Sequence, residues 1–341
     1  MDGGGQSPSR EDLRPFHHTA DGFRNNHPQG WEHASFWRWQ RERWRHGLPR
    51  IPRGGWRFPS RRPDAAWLVA NRTETTLTWI GHATFLLQHR GVNVLTDPHL
   101  TARASPLGFA GPRRWMPPAL DFHTLPPIDL VVVSHNHYDH LDAATVQRLH
   151  HQRPAPPKFL VPLGLKAWFT SKGVHNVLEL DWWEVTDFHG LTCTFTPAQH
   201  WSARSGWDRN RSLWGGWRLD GGDFSYFFAG DTGYSPDFRA IRARLGAVDV
   251  AALPIGAYDP RWFMAVHHVN PEEAVQIHLD LEARMSVAMH WGTFVLTDEP
   301  LDEPPHRLRR ALHARGIPDG DFRVFEHGET WRRDEALMDP R

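Results

Sequence analysis

Between residues 76 and 97 apolar and polar positions alternate in short runs, which reads as three strands. Thr76-Leu77-Thr78-Trp79-Ile80 and Ala83-Thr84-Phe85-Leu86-Leu87-Gln88 flank Gly81-His82. His89-Arg90-Gly91 then turns the chain into Val92-Asn93-Val94-Leu95-Thr96-Asp97. Asp129-Leu130-Val131-Val132-Val133 shows no alternation and predicts a strand covered on both faces, with a helix after it over 141–151. Short strands are expected at 158–161 and 177–180, and a second strand-rich section at 191–196, 213–219 and 225–229. A helix is expected over 271–283, with Asn270 as N-cap, Pro271 in the first position and Glu272-Glu273 favourable to the helix dipole. A last core strand at 286–289, an Arg-rich helix at 308–315 and an edge strand at 322–325 complete the pattern.

The first 70 residues differ from the rest. Positions 1–63 hold twelve arginines, no lysine and six acidic residues, with Trp31, Trp37, Trp39, Trp44 and Trp56 interleaved. Only 31–46 looks helical, and the stretch around Pro49 to Gly55 is extended and turn-rich. We therefore divide the chain into a basic, Trp-rich extension (1–70) packing on or beside a main domain (71–341). The extension either buries its tryptophans on that domain or offers a basic, aromatic surface to lipid headgroups. Formal net charge is +0 at pH 7, so no nucleic-acid partner is expected. The single cysteine, Cys193, excludes an internal disulfide framework and any Cys-rich zinc site. No run of 18 apolar residues occurs and the N-terminus lacks a secretory pattern, so the expected location is cytoplasmic, with peripheral membrane contact open. Oligomeric state is not legible.

The chemistry concentrates in Ser134-His135-Asn136-His137-Tyr138-Asp139-His140. Four metal-capable side chains crowd into six residues at the end of a buried strand, where they would repel one another or demand water without a cation. His135 and His137 can reach one ion, and Asp139-His140 a second. His200, Asp231 and His290 also sit just after strand-like segments, and strand ends on one side of an α/β sheet converge. Five imidazoles and two carboxylates suit two divalent ions with open positions, with Asp231 the simplest bridge. Zinc is expected, and iron or manganese would also accept these donors.

With those residues in place the chain resembles the metallo-β-lactamase-fold hydrolases, whose His-Xaa-His-Xaa-Asp-His signature stands here as His135, His137, Asp139 and His140. The resemblance implies an α/β fold, an αββα sandwich of two similar halves with the metals at one edge. It also makes Asp97 a supporting acidic residue rather than a ligand. No cysteine stands among the donor positions, a departure from the antibiotic-hydrolysing members that use one. A narrower resemblance, to the N-acylphosphatidylethanolamine-hydrolysing phospholipase D family and its bacterial relatives, rests on residues 16–26, 79–85, 134–142, 213–217, 230–234, 268–274 and 290–294. It implies that Tyr138 and His268 contact the phospholipid.

The expected activity is dinuclear metal-dependent hydrolysis of a phospholipase D type, in which a hydroxide held between the ions attacks phosphorus and Asp139 and Asp231 are catalytic. The alternative is a lactonase or other carboxylic-ester hydrolase using the same site. No Gly-x-Ser-x-Gly elbow supports a serine nucleophile.

Overall fold

The computed structural model describes residues 15–28 and 33–333. Its frame is two seven-stranded sheets built on the same plan. The first contains β1 (Thr76–Gly81), β2 (Thr84–His89), β3 (Val92–Thr96), β4 (Leu130–Val132), β5 (Lys158–Pro162) and β6 (Val177–Leu180). The second contains β7 (Val185–Phe188), β8 (Leu191–Thr196), β9 (Gly216–Asp220), β10 (Ser225–Phe228), β11 (Val248–Pro254), β12 (Ala283–Met289) and β13 (Phe322–Arg323). Strand β14 (Thr330–Arg332) returns to pair with β1 and closes the edge of the first sheet. In each sheet an antiparallel meander passes into a run of parallel strands, β3 to β6 in one and β10 to β13 in the other.

The period-2 pattern explains why both faces of the first sheet are buried. Leu77, Trp79, Phe85, Leu87, Val94, Leu130 and Val132 join the core between the sheets. Their neighbours Ile80, Leu86, Leu95, Val131 and Val133 face outward into a second core completed by Val146 and Leu149 of helix Ala143–His150. Helices Asp237–Leu245, Pro271–Asp280 and Glu303–Ala314 supply Ile241, Val275, Ile277 and Leu308 to the core of the second sheet. The result is the αββα sandwich. Trp217 ties the halves together: its ring lies 4.7 Å from Phe195, and its Nε1 donates to the Val133 carbonyl at 2.9 Å.

Several boundaries move. The helix from Pro271 stops at Asp280, because Glu282 takes a left-handed conformation (φ 48°) and Ala283 already begins β12. Its start follows the capping logic, with Asn270 and Glu273 bonded reciprocally. The strand expected at 213–219 begins only at Gly216, since Leu213 and Gly215 donate across to Leu163 and Ser134 instead. The 141–151 helix begins at Ala143 behind Asp142 as cap, and the last helix starts at Glu303, five residues ahead of its expected start. Strands β7, β11 and β14 and helix Asp237–Leu245 have no counterpart in the sequence reading.

Of the N-terminal extension, residues 1–14 and Trp31 lie outside the described residues. The helix there runs His33–His46. Trp39 stacks on Phe263 at 5.0 Å and donates to Asp298 at 2.7 Å, whereas Trp37 and Trp44 are 74% and 84% exposed. One helix thus carries both an inward-packed tryptophan and two exposed ones.

Candidate metal centre

Where β4 ends, the chain turns through Ser134 under the control of Asp97. The Asp97 carboxylate accepts from the Ser134 amide at 2.7 Å, from its hydroxyl at 2.5 Å and from His140 Nδ1 at 2.7 Å. Asp97 therefore orients the loop and turns the Nε2 of His140 inward, the supporting place the family resemblance implied. Arg204 braces the far side. Its guanidinium donates to the carbonyls of Asn136 and Leu141, both at 2.8 Å, and lies 4.0 Å from the Tyr138 ring.

All seven expected metal residues come together. The ring nitrogens of His135 and His137 stand 2.9 Å apart, and those of His200 and His137 3.2 Å apart. Beside this set, Asp139 Oδ2 lies 3.3 Å from the Nε2 of both His140 and His290. Asp231 stands between the sets. Its Oδ2 is 3.0 Å from His140, 3.1 Å from His290, and 3.9 Å from both His135 and His200. Asp231 reaches this point from a turn whose Gly230 (φ 62°) presses on the metal loop. A Cβ at Gly230 would come within 2.6 Å of the Ser134 side chain.

His82 was not singled out as a site residue. It sits between β1 and β2 with φ 55°, fully within the core, and its Nε2 is 2.9 Å from Asp139 Oδ2. The available signal was an imidazole in a turn between two buried strands, which read only as a turn. Tyr138 and His268 both line a cavity of about 490 Å³ above the donors. The Tyr138 hydroxyl donates to the Arg204 carbonyl at 2.8 Å. His268 does not cap the following helix, a task Asn270 performs; its Nδ1 lies 3.9 Å from Asp231 Oδ2. Phe36, Trp39, Trp201, Phe263, Met264 and Leu296 form the apolar walls.

The electrostatics leave the two carboxylates ionised and most of the rings neutral. Burial opposes ionisation of Asp231, but His140 and His290 outweigh it and hold its carboxyl well below the usual range. Burial likewise disfavours charging His290, yet Asp231 and then Asp139 lift its pKa to about 9. His137 and His268, also desolvated, fall to about 4, which leaves neutral rings with lone pairs to offer. Among the described residues His140 Nε2, the nitrogen that faces Asp139 and Asp231, and Asp231 Oδ1 are buried without a hydrogen-bond partner. An orphaned buried polar atom costs about 1–3 kcal/mol. Imidazoles and carboxylates this close, several of their atoms unpaired, fit a cation.

Comparison with known proteins agrees with this fold. The Beta-lactamase superfamily domain matches residues 92–291. N-acyl-phosphatidylethanolamine-hydrolyzing phospholipase D 1 of Caenorhabditis elegans is 44% identical over 74% of this chain and 74% of its own. The mitochondrial N-acyl-phosphatidylethanolamine-hydrolyzing phospholipase D of Saccharomyces cerevisiae is 38% identical over 71% of this chain, which spans only 53% of that protein. Among solved structures, a metallo hydrolase from Ignicoccus hospitalis is 25% identical, covers 76% of this chain and 98% of its own, and superposes with a TM-score of 0.56. The sandwich, the donor-rich strand ends and these similarities agree: the chain belongs to the beta-lactamase superfamily, as a metallo-β-lactamase-fold hydrolase similar to the N-acylphosphatidylethanolamine-hydrolysing phospholipases D.

Proposed function

We propose that this hydrolase is a dinuclear, zinc-dependent phosphodiesterase of phospholipase D type that acts on N-acylphosphatidylethanolamine-like phospholipids. The observation that carries the reading is the single oxygen Asp231 Oδ2, facing two donor sets beneath an apolar-walled cavity. His135, His137 and His200 would hold one ion, Asp139, His140 and His290 the other, and Asp231 both. When bound, the ions supply a water acidic enough to attack at neutral pH and positive charge for the phosphodiester.

The chain's own groups do the rest. Asp97 and Arg204 keep the loop in register, so the donors need not reorganise during the reaction. His268 is neutral at pH 7, so its ring can donate one hydrogen bond to a phosphate oxygen beside Asp231. Tyr138 has committed its proton to Arg204 and can only accept, which suits the amide N–H of an acylated head group. Apolar walls at Phe36, Trp39, Phe263 and Met264 suit acyl chains. The net reaction adds the water oxygen to phosphorus and breaks the P–O bond to the head group. The leaving oxygen takes the proton, giving phosphatidic acid and an N-acylethanolamine.

Substrate would come from a membrane. Among the described residues no helix is long and apolar enough to cross one. The exposed Trp37 and Trp44, with Arg38, Arg41 and Arg45 on the same helix, suit peripheral contact with its surface.

The test is hydrolysis of N-acylphosphatidylethanolamine in mixed micelles, with phosphatidic acid read by mass spectrometry. Product that vanishes with chelator and returns with zinc supports both substrate and metals. A metal-replete sample that makes none, yet opens lactones, would transfer the site to carboxylic esters.

A further inference from the structure

Residues 15–28 form a strap without a helix or a regular strand, lying against the loops that carry Asp181, His200 and Asn210. Its outer end is fastened by Asp181, whose two carboxylate oxygens lie 2.6 Å from His17 Nε2 and 2.7 Å from His18 Nε2. Gly22 lets it pass close to Asn210, whose carbonyl oxygen would lie 2.1 Å from a Cβ there. At its inner end the strap meets His200. The Asn25 side chain accepts from the His200 amide at 3.0 Å and donates to the His200 carbonyl at 3.0 Å, while Trp214 Nε1 donates to the same Asn25 oxygen at 2.9 Å.

His200 needs such a partner. Strand β8 ends at Thr196, so no sheet ladder takes the backbone groups of His200, although the residue is fully buried. The ring is oriented by a hydrogen bond from Nδ1 to the His267 carbonyl at 2.8 Å, which aims Nε2 at His137 and Asp231. That bond sets the tautomer and the rotation of the ring, but not where the Cα stands. One side chain, Asn25, takes both backbone groups and so sets that position.

We infer that Asn25 is a positioning residue of the metal centre: through the His200 backbone it places the one imidazole that the second sheet contributes to the His135–His137 set. This rests on the reading of His200 as a ligand. Metal–ligand distances tolerate only about 0.2 Å, so a backbone freed at His200 would loosen that ion selectively. The competing idea is that Asn25 merely holds the strap to the domain. Asn26 provides the control. One residue along the same strap, its amide donates to Asp237 at 3.0 Å rather than to the His200 backbone.

The experiment uses the full chain with zinc and cobalt as probes. It measures metal per chain by elemental analysis, affinity by chelator competition, the cobalt absorption spectrum, and melting with and without metal. Asn25→Ala should weaken the more easily lost ion by about 10–100-fold, the usual cost of losing a ligand's supporting partner, and change the cobalt spectrum. Asn25→Asp keeps the acceptor but sets a carboxylate oxygen against the His200 carbonyl, so it should show the same selective loss. Asn26→Ala should lower metal-free melting as much as Asn25→Ala does, yet leave metal affinity unchanged. Equal metal affinity in the Asn25 and Asn26 variants overturns the inference; if Asn25→Ala does not fold, Asn25→Asp decides. His200→Ala guards the underlying reading: retention of both ions there would remove His200 as a ligand whatever Asn25 does.

Discussion

The two halves of the sandwich share a strand plan but deliver their donors in opposite ways. The first packs His135, His137, Asp139 and His140 into one loop, held by Asp97 within its own sheet. The second sends His200, Asp231 and His290 singly from the ends of β8, β10 and β12, and each relies on partners far away in sequence. The first arrangement is contiguous in sequence, with Arg204 of the second half bracing its loop from outside. The second is correct only when the whole sheet is. Damage to the first half should therefore be confined, and damage to the second should spread.

The sharpest way to break this contrast is Asp231→Asn against Asp139→Asn. The Asp231 carboxylate faces both donor sets, so losing its charge should release both ions and cut hydrolysis by more than the ~100-fold that losing a supporting partner costs. Asp139→Asn should abolish activity while the fold and one ion remain, with metal content and circular dichroism as the readouts. Two ions lost from Asp139→Asn and one from Asp231→Asn would invert the comparison. Next in size is Trp217→Ala, which removes the ring joining the halves and leaves the Val133 carbonyl without its donor. It should cost about 3–5 kcal/mol in urea unfolding, with metal retention falling in parallel.

A smaller effect belongs to the second half alone. Glu299 accepts from the amides of Ala257 and Asp259 and from the Thr297 hydroxyl, beside the cavity, and burial lifts its pKa to about 6. Its folded pKa lies above the unfolded one. The stability it contributes is therefore present below about pH 4.5 and lost as pH rises through about 6, an effect of about 2 kcal/mol. Glu299→Gln should flatten that part of the stability–pH curve relative to the unaltered protein. An unchanged slope would place the titration elsewhere. The smallest change in folding is expected from Trp37→Ala and Trp44→Ala, within about 0.5 kcal/mol, because both rings are exposed. Each should still weaken vesicle binding by roughly tenfold if these rings enter the lipid. Undiminished binding would assign the helix to packing alone.

The same contrast decided what could be read from the chain. The loop after β4 announced itself because its donors are neighbours in sequence. His200, Asp231 and His290 could be singled out only by supposing that strand ends converge, which they do. Strand β11 escaped notice because Val248-Asp249-Val250-Ala251-Ala252-Leu253-Pro254 is a buried parallel strand whose alanines carry neither alternation nor strong β preference. His82 and Asn25 were hidden for a different reason. Each acts through a partner 57 and 175 residues away, and no local pattern records such a pairing. The N-terminal helix resisted a single role because its tryptophans divide, Trp39 packing inward while Trp37 and Trp44 face out.

Gly230 carries a consequence of another kind. The spacing between Asp231 and the opposing loop is gauged there by a missing atom, since even a methyl group at that position would strike Ser134. Ser134 is itself the residue through which Asp97 steers the loop, so such a collision would be felt on both sides of the seam at once. Any side chain at 230 would act as a shim and reset the separation of the two donor sets together. A wider spacing of the two donor sets could be reached by that single change, with every donor still in place.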